Sequence, residues 1–288
     1  MKTNRISDLS LNELLFPVRM IDNPHRTNKP LEKAVVGRVD SDGLLFINYC
    51  SKQYNLIPNR EIFPEVERIL DEKELEYKAT YQHIDYERFY AKYLITDKTY
   101  SYTMKDTTDV IMPVLNVQHS YNGLTKGRFV FGYHRLVCTN GLTIPVEEMK
   151  QFNLQIVCKH TESMHKHLLR LKEMLIFFTN NAQNVKETIT HKFEILGDNW
   201  IADPVKRIEE VLKATGIVAV ENNKFNTANY LMDLISQESA LVGYKATNDW
   251  LIYNAINQYI NDDSRNIAVP EKRQENDAKV LEYMLMTA

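Results

Sequence analysis

Hydrophobic positions in the first half of the chain recur with a period of two, and in the second half with a period of about 3.6. The densest stretch is Val110–Ile144, VIMPVLNVQHSYNGLTKGRFVFGYHRLVCTNGLTI. Its apolar runs Val110–Gln118 and Arg128–Cys138 read as two strands. The turn formers Tyr121-Asn122-Gly123 and Lys126-Gly127 separate them, and Thr139-Asn140-Gly141 closes the stretch. Upstream, Tyr77, Ala79 and Tyr81 alternate with polar residues, as do Ala91, Tyr93 and Ile95, so two further strands flank Asp85-Tyr86-Glu87. Lys33–Arg38 and Leu44–Tyr49 read as a strand pair. Asn59 reads as the cap of a helix reaching about Glu74, with Pro64 tolerated only in its first turn.

Beyond Pro145 the pattern turns helical. Met164, Leu168, Leu171, Leu175 and Phe178 share one face, and Val185, Ile189, Phe193 and Leu196 continue the spacing. Asp203-Pro204 is a helix start and Gly216 its stop. Further helices cover about 226–238, 248–261 and 271–286. The expected fold is α+β: an antiparallel meander of about four strands within a β-rich region 1–145, and a helical region 146–288 packed on it as one unit.

A chain of 288 residues, 44% hydrophobic and 25% charged, lies in the ordinary globular range. No apolar run is long enough to span a bilayer. The opening MKTNRISDLSLNELLFP has no apolar core or small-residue cleavage site, which predicts no secretory signal. Cys50, Cys138 and Cys158, an odd set without CxxC spacing, read as reduced cytoplasmic thiols. The net charge of -3 hides an asymmetry: Lys and Arg outnumber Asp and Glu over 119–172, and the balance reverses over 198–288. Such a split marks an anion-binding face and an acidic partner face, or is a surface accident.

Catalytic motifs are absent: no GxSxG, HExxH, GxxxxGK[ST] or GxGxxG string occurs. Cys158, His160, His165 and His167 have metal-ligand chemistry, but His165 and His167 lie about 200° apart on a helix and cannot converge on one ion. Neither a metal nor a cofactor is expected. Two binding hints remain. The sheet region mixes Tyr77, Tyr81, Tyr86, Phe89, Tyr90 and Tyr93 with Lys78, Arg88 and Lys92, then adds Lys126, Arg128, His134 and Arg135. Cations hold phosphates and aromatic faces stack on bases, although strand tyrosines also serve as packing. In the second, Trp250, Asn254, Asn257 and Asn261 form a stripe on one helix. Asparagine is a poor helix former, so the stripe implies hydrogen bonds to a ligand, a partner or a neighbouring loop.

LIPNREIFPEVERIL (56–70), QHSYNG (118–123), RLVCTNGL (135–142) and ATNDWLIYNAINQYIND (246–262) occur together and in this order. In this the chain resembles a widespread domain-of-unknown-function family described only as phage/plasmid-like proteins, over about residues 35–265. It departs where that family tends to have Ser-His-Asp-Gly, carrying Asn122 before Gly123. The resemblance implies a home in phages, plasmids and integrative elements, often near recombination or replication genes. It marks Asn122, Gly123, Arg135, Cys138, Asn140, Tyr253, Asn254 and Ala255 as matching positions of unassigned role, with Trp250 beside them in the same helix. A sheet followed by helices is also loosely similar to the phage single-strand annealing proteins of the Red beta and RecT kind.

The expected function is therefore a non-enzymatic, nucleic-acid-associated protein in the cytoplasm of a bacterial host. Single-stranded DNA is the expected partner, with self-association beside it. The phosphate contacts are assigned to Lys126, Arg128, Arg135, Lys159, Lys166, Arg170 and Lys172, and base stacking to Tyr81 and Tyr93. The competing reading is a protein-interaction module whose acidic helices dock a phage or host protein, and an enzyme with an unrecognised site stands third.

Overall fold

The computed structural model describes residues 5, 15–24, 31–38, 43–84, 86–135, 141–142, 152, 154–217, 224–261 and 270–288. The fold is α+β. The strands are β1 (Val18–Asp22), β2 (Lys33–Arg38), β3 (Leu44–Cys50), β4 (Tyr77–Ile84), β5 (Arg88–Ile95), β6 (Tyr102–Thr103), β7 (Val110–Ser120), β8 (Gly127–Arg135), β9 (Gly141–Leu142) and β10 (Gln155–Cys158). The helices are α1 (Asn59–Glu72), α2 (Met164–Asn180), α3 (Ala182–Asp198), α4 (Pro204–Thr215), α5 (Lys224–Val242), α6 (Asp249–Asn261) and α7 (Pro270–Thr287). Strands β1-β2-β3 form one antiparallel sheet. The larger sheet runs β10-β8-β7-β5-β4, with β6 on β7 and β9 on β8. Its β4-β5-β7-β8 portion is the expected meander. The sequence pattern gave no sign of β1 or β10.

The chain divides into two units. The first comprises residues 1–97, 114–131 and 152–181, and so holds β1–β5, most of β7, the start of β8, β10, α1 and α2. Alternation along the strands puts Phe89, Ala91 and Tyr93 on the same face as Tyr77 and Ala79, and this face is buried against helices. Phe131 stacks on Phe178 of α2 with ring centroids 4.4 Å apart, which turns Phe129 and Phe131 to the helical side as well. Helix α1 begins differently from the sequence expectation. Its cap is Pro58, Asn59 is the first helical residue, and Pro64 lies in the helix interior. The N–H of Asn59 donates to the Tyr121 hydroxyl at 2.7 Å, so a distant side chain does the work expected of a local cap. Burial of Phe63 and Val66 on either side of Pro64 carries the helix past the missing N–H.

The second unit comprises residues 98–113, 132–151 and 182–288. Helix α6 is buried on nearly every side, from Asp249 to Asn257, and packs against α3, α5 and α7. Helix α4 has the caps its sequence implies: Asp203 accepts from the N–H of Lys206, Pro204 follows, and Gly216 closes the helix at φ +66°. Among the described residues no helix is long and apolar enough to cross a membrane.

Candidate nucleic-acid interface

The turn joining β7 to β8 is held from several directions. Asn122 Oδ1 accepts the N–H of Leu124 at 3.0 Å, and Gly123 adopts φ +72°, the Asn-Gly chemistry of a tight turn. The Nδ2 of Asn122 donates to Glu87 Oε2 at 2.5 Å, and its carbonyl accepts from Asn48 Nδ2 at 2.7 Å. The Ser120 hydroxyl donates to the carbonyl of Thr125 at 2.8 Å. The Tyr54 hydroxyl lies 3.3 and 3.1 Å from the carbonyls of Ser120 and Tyr121. His160 Nε2 sits 3.2 Å from the Thr125 carbonyl, so it carries the proton of that hydrogen bond. Side chains from β3, β7 and three loops thus brace a turn that would otherwise leave buried backbone groups unpaired.

Cations cluster around this turn. Gly127 pairs with Cys158 and Arg128 with Val157, so one step further Lys126 and Lys159 sit at the same end of β8 and β10. Both lysines are exposed and Arg128 is half-buried; none of the three pairs with a carboxylate among the described residues. Arg128 lies on the face opposite Phe129 and Phe131. By the same alternation Lys78, Arg88, Tyr90 and Lys92 occupy the face of β4 and β5 opposite Tyr93. On that non-helical face, the strand positions of the first unit carry four cations, Lys78, Arg88, Lys92 and Arg128, and no Asp or Glu. Such a field favours an anionic ligand.

The other nominated residues part into three groups. Lys166 and Arg170 both bind Glu162, at 2.7 and 3.2 Å, and Lys172 binds Glu72 at 3.0 Å. These exposed pairs offset much of the positive charge on α2. Tyr93 is fully buried beside Tyr77, 5.6 Å between centroids, and Tyr81 is half-buried on the same face. The alternation that makes β5 a strand points Tyr93 away from the cations, so the structure corrects its expected stacking role to packing. Arg135 is also corrected. It is 0% exposed in the second unit, its Nε 2.7 Å from both carboxylate oxygens of Asp109 and its guanidinium 2.5 Å from Glu238. Trp250 Nε1 donates to the same Asp109 at 2.9 Å. Arg135 and Trp250 therefore serve one buried structural cluster.

The asparagine stripe is structural too. Asn254 donates to the Trp250 carbonyl one turn back, Asn261 to that of Asn257, and Asn257 to Asp277 of α7, which also receives the Tyr253 hydroxyl at 2.9 Å. Cys138 and Asn140 lie outside the described residues. Residues 47–282 match the family described as Domain of unknown function (DUF932). The chain belongs to that family. No curated protein and no solved structure matches it.

The DUF932 match contains the braced turn, the sheet and the cations around it. It also contains a small cavity in the first unit lined by His119, His160, His167, Cys158, Gln118 and Arg128. His165, by contrast, points outward while His167 is buried, as the 200° between them requires. Among the described residues no group of three or more His, Cys, Asp or Glu is arranged to hold a metal ion. Burial lowers the pKa of His119 to about 3, with His160 and His167 shifted the same way chiefly by burial. Burial pushes the Cys158 thiol up to about 12. Desolvation leads in each case, so these groups are held neutral.

Two features of this DUF932 chain escaped the sequence reading. Leu124 at the turn is 79% exposed, and Phe46 of β3 is 48% exposed with Tyr49 4.6 Å away. Their one sequence signal is an apolar residue in a turn-rich segment and another in a strand.

Proposed function

We propose that this protein binds nucleic acid, single strands foremost, through the cations of its first unit, as a non-enzymatic component of a mobile element's annealing, recombination or replication. The observation carrying this reading is the set Lys126, Arg128 and Lys159, gathered at the ends of β8 and β10 without carboxylate partners among the described residues. Lys78, Arg88 and Lys92 extend the positive field along the acid-free sheet face. Phosphate neutralisation by such side chains is independent of sequence and strongly salt-dependent. The histidine cavity lends nothing to an enzymatic reading, because a general base wants a pKa near the working pH and burial drives these groups away from it. A protein partner is favoured instead by the exposed Leu241 and Met286 of the second unit, 71% and 73% accessible. Fluorescence anisotropy with labelled single- and double-stranded oligonucleotides tests the proposal. Binding that weakens in Lys126→Glu/Arg128→Glu supports it; no binding to either form at low salt overturns it and directs attention to Leu241 and Met286.

A further inference from the structure

We propose that Leu124 is an apolar wedge, inserted by the braced β7–β8 turn between the bases of a bound strand. This rests on the nucleic-acid reading above and adds to it a contact that electrostatics alone does not supply. Leu124 is 79% accessible, the most exposed large apolar side chain among the described residues. Single exposed leucines are common and ordinarily need no account. This one differs in what surrounds it. Tyr121 is fully buried, Asn122 is 9% exposed and Thr125 4%, so the chain dives into the fold on either side of the exposed pair Gly123-Leu124.

The bracing of those flanks is disproportionate for a loop with no task. Asn48, Tyr54, Glu87, Ser120 and His160, from separate parts of the chain, all hydrogen-bond the residues flanking Leu124. The Leu124 N–H itself is tied to Asn122. A side chain held out on a fixed backbone loses little freedom when a partner buries it, which is the physical value of preorganisation. The surroundings also select the partner. Lys126 is two residues away, with Lys159 and Arg128 at the adjoining strand ends, and Glu87 is occupied by Asn122. A leucine beside unpaired cations suits a chain that offers phosphates outside and stacked apolar faces between. Proteins that unstack bases use leucine in this way, with cations on the flanking phosphates.

The test uses the full-length protein and a single-stranded oligonucleotide carrying 2-aminopurine, whose fluorescence rises when its neighbours unstack. Wild type should raise the fluorescence on binding. Leu124→Ala should bind about tenfold more weakly from the lost apolar burial, with the fluorescence rise abolished and the salt dependence unchanged. Leu124→Met should retain both. Thermal melting of each variant shows that the fold is kept. Binding with an unaltered fluorescence rise in Leu124→Ala, or with no rise in wild type, overturns the wedge and leaves the cation interface standing. Failure of every oligonucleotide to bind overturns both.

Discussion

Asn122 links two turns: its Nδ2 donates to Glu87 Oε2, just before β5, at 2.5 Å while its Oδ1 accepts the Leu124 N–H. At neutral pH an amide does both. A carboxylate could accept from Leu124 but would face Glu87 with like charge. The Asn at this position is matched to the glutamate across the turn.

Asn122→Asp should therefore cost about 1–3 kcal/mol at neutral pH, through the lost donor and the new repulsion. The cost should shrink in acid, where one protonated carboxyl again supplies a donor. Urea unfolding of both proteins at pH 7 and pH 4.5 measures this. An equal cost at both pH values would show that the Glu87 contact is not its source.

Arg135 and Asp109 form a second such relationship, sealed in the core of the second unit beside Glu238 and Trp250. Arg135→Met leaves two carboxylates without their cation and should destabilise by about 3–5 kcal/mol. Chemical denaturation checks the loss. A near-neutral effect would mean that Arg135 is replaceable in the core, which the geometry denies.

The contrast between Arg135 and Lys126 shows what the sequence could convey. Strand alternation, helical period and the Asp203 and Gly216 caps are local, and they gave the α+β fold and most elements. The partners of Arg135 lie 26 and 103 residues away and carry no local sign. Alternation did contain the facing of the sheet: Tyr77 and Tyr93 share one face, and Lys78 and Lys92 the other. Grouping them by composition hid that split. Asn59 looked like a cap because a tyrosine 62 residues distant, which completes the helix start, cannot be read from neighbours. The short strand β10 is four residues long and too brief to announce itself, yet it brings Lys159 beside Lys126.

His119 gives the pH dependence a direction. An unfolded histidine titrates near 6.5, whereas burial lowers the folded value to about 3. Between these limits the unfolded chain binds the extra proton, so the contribution is complete above about pH 6.5 and is lost as pH falls. The slope should approach at most roughly 1.4 kcal/mol per pH unit for this one group. Unfolding free energies of wild type and His119→Gln at pH 7, 6 and 5 test it. The variant should show the shallower decline, and identical declines would contradict the burial of a neutral ring.

Cys158 should be inert in the native protein, since burial both shields the thiol and raises its pKa. Iodoacetamide labelling at pH 8, read by peptide mass spectrometry, should leave Cys158 unmodified until denaturant is added. Rapid native labelling would place the thiol at a reactive surface.

On the proposed reading, the unpaired cations near the β7–β8 turn hold phosphate, whereas the paired ones on α2 do not. The most direct measurement is the salt dependence of single-strand affinity for wild type, Lys126→Gln/Lys159→Gln and Lys166→Gln/Lys172→Gln. Each phosphate contact contributes about 0.7 to the slope of log affinity against log salt. Removing Lys126 and Lys159 should flatten that slope by roughly 1.4, while removing Lys166 and Lys172 should leave it nearly unchanged. Equal slopes for all three proteins, or flattening only in the second variant, would contradict the interface.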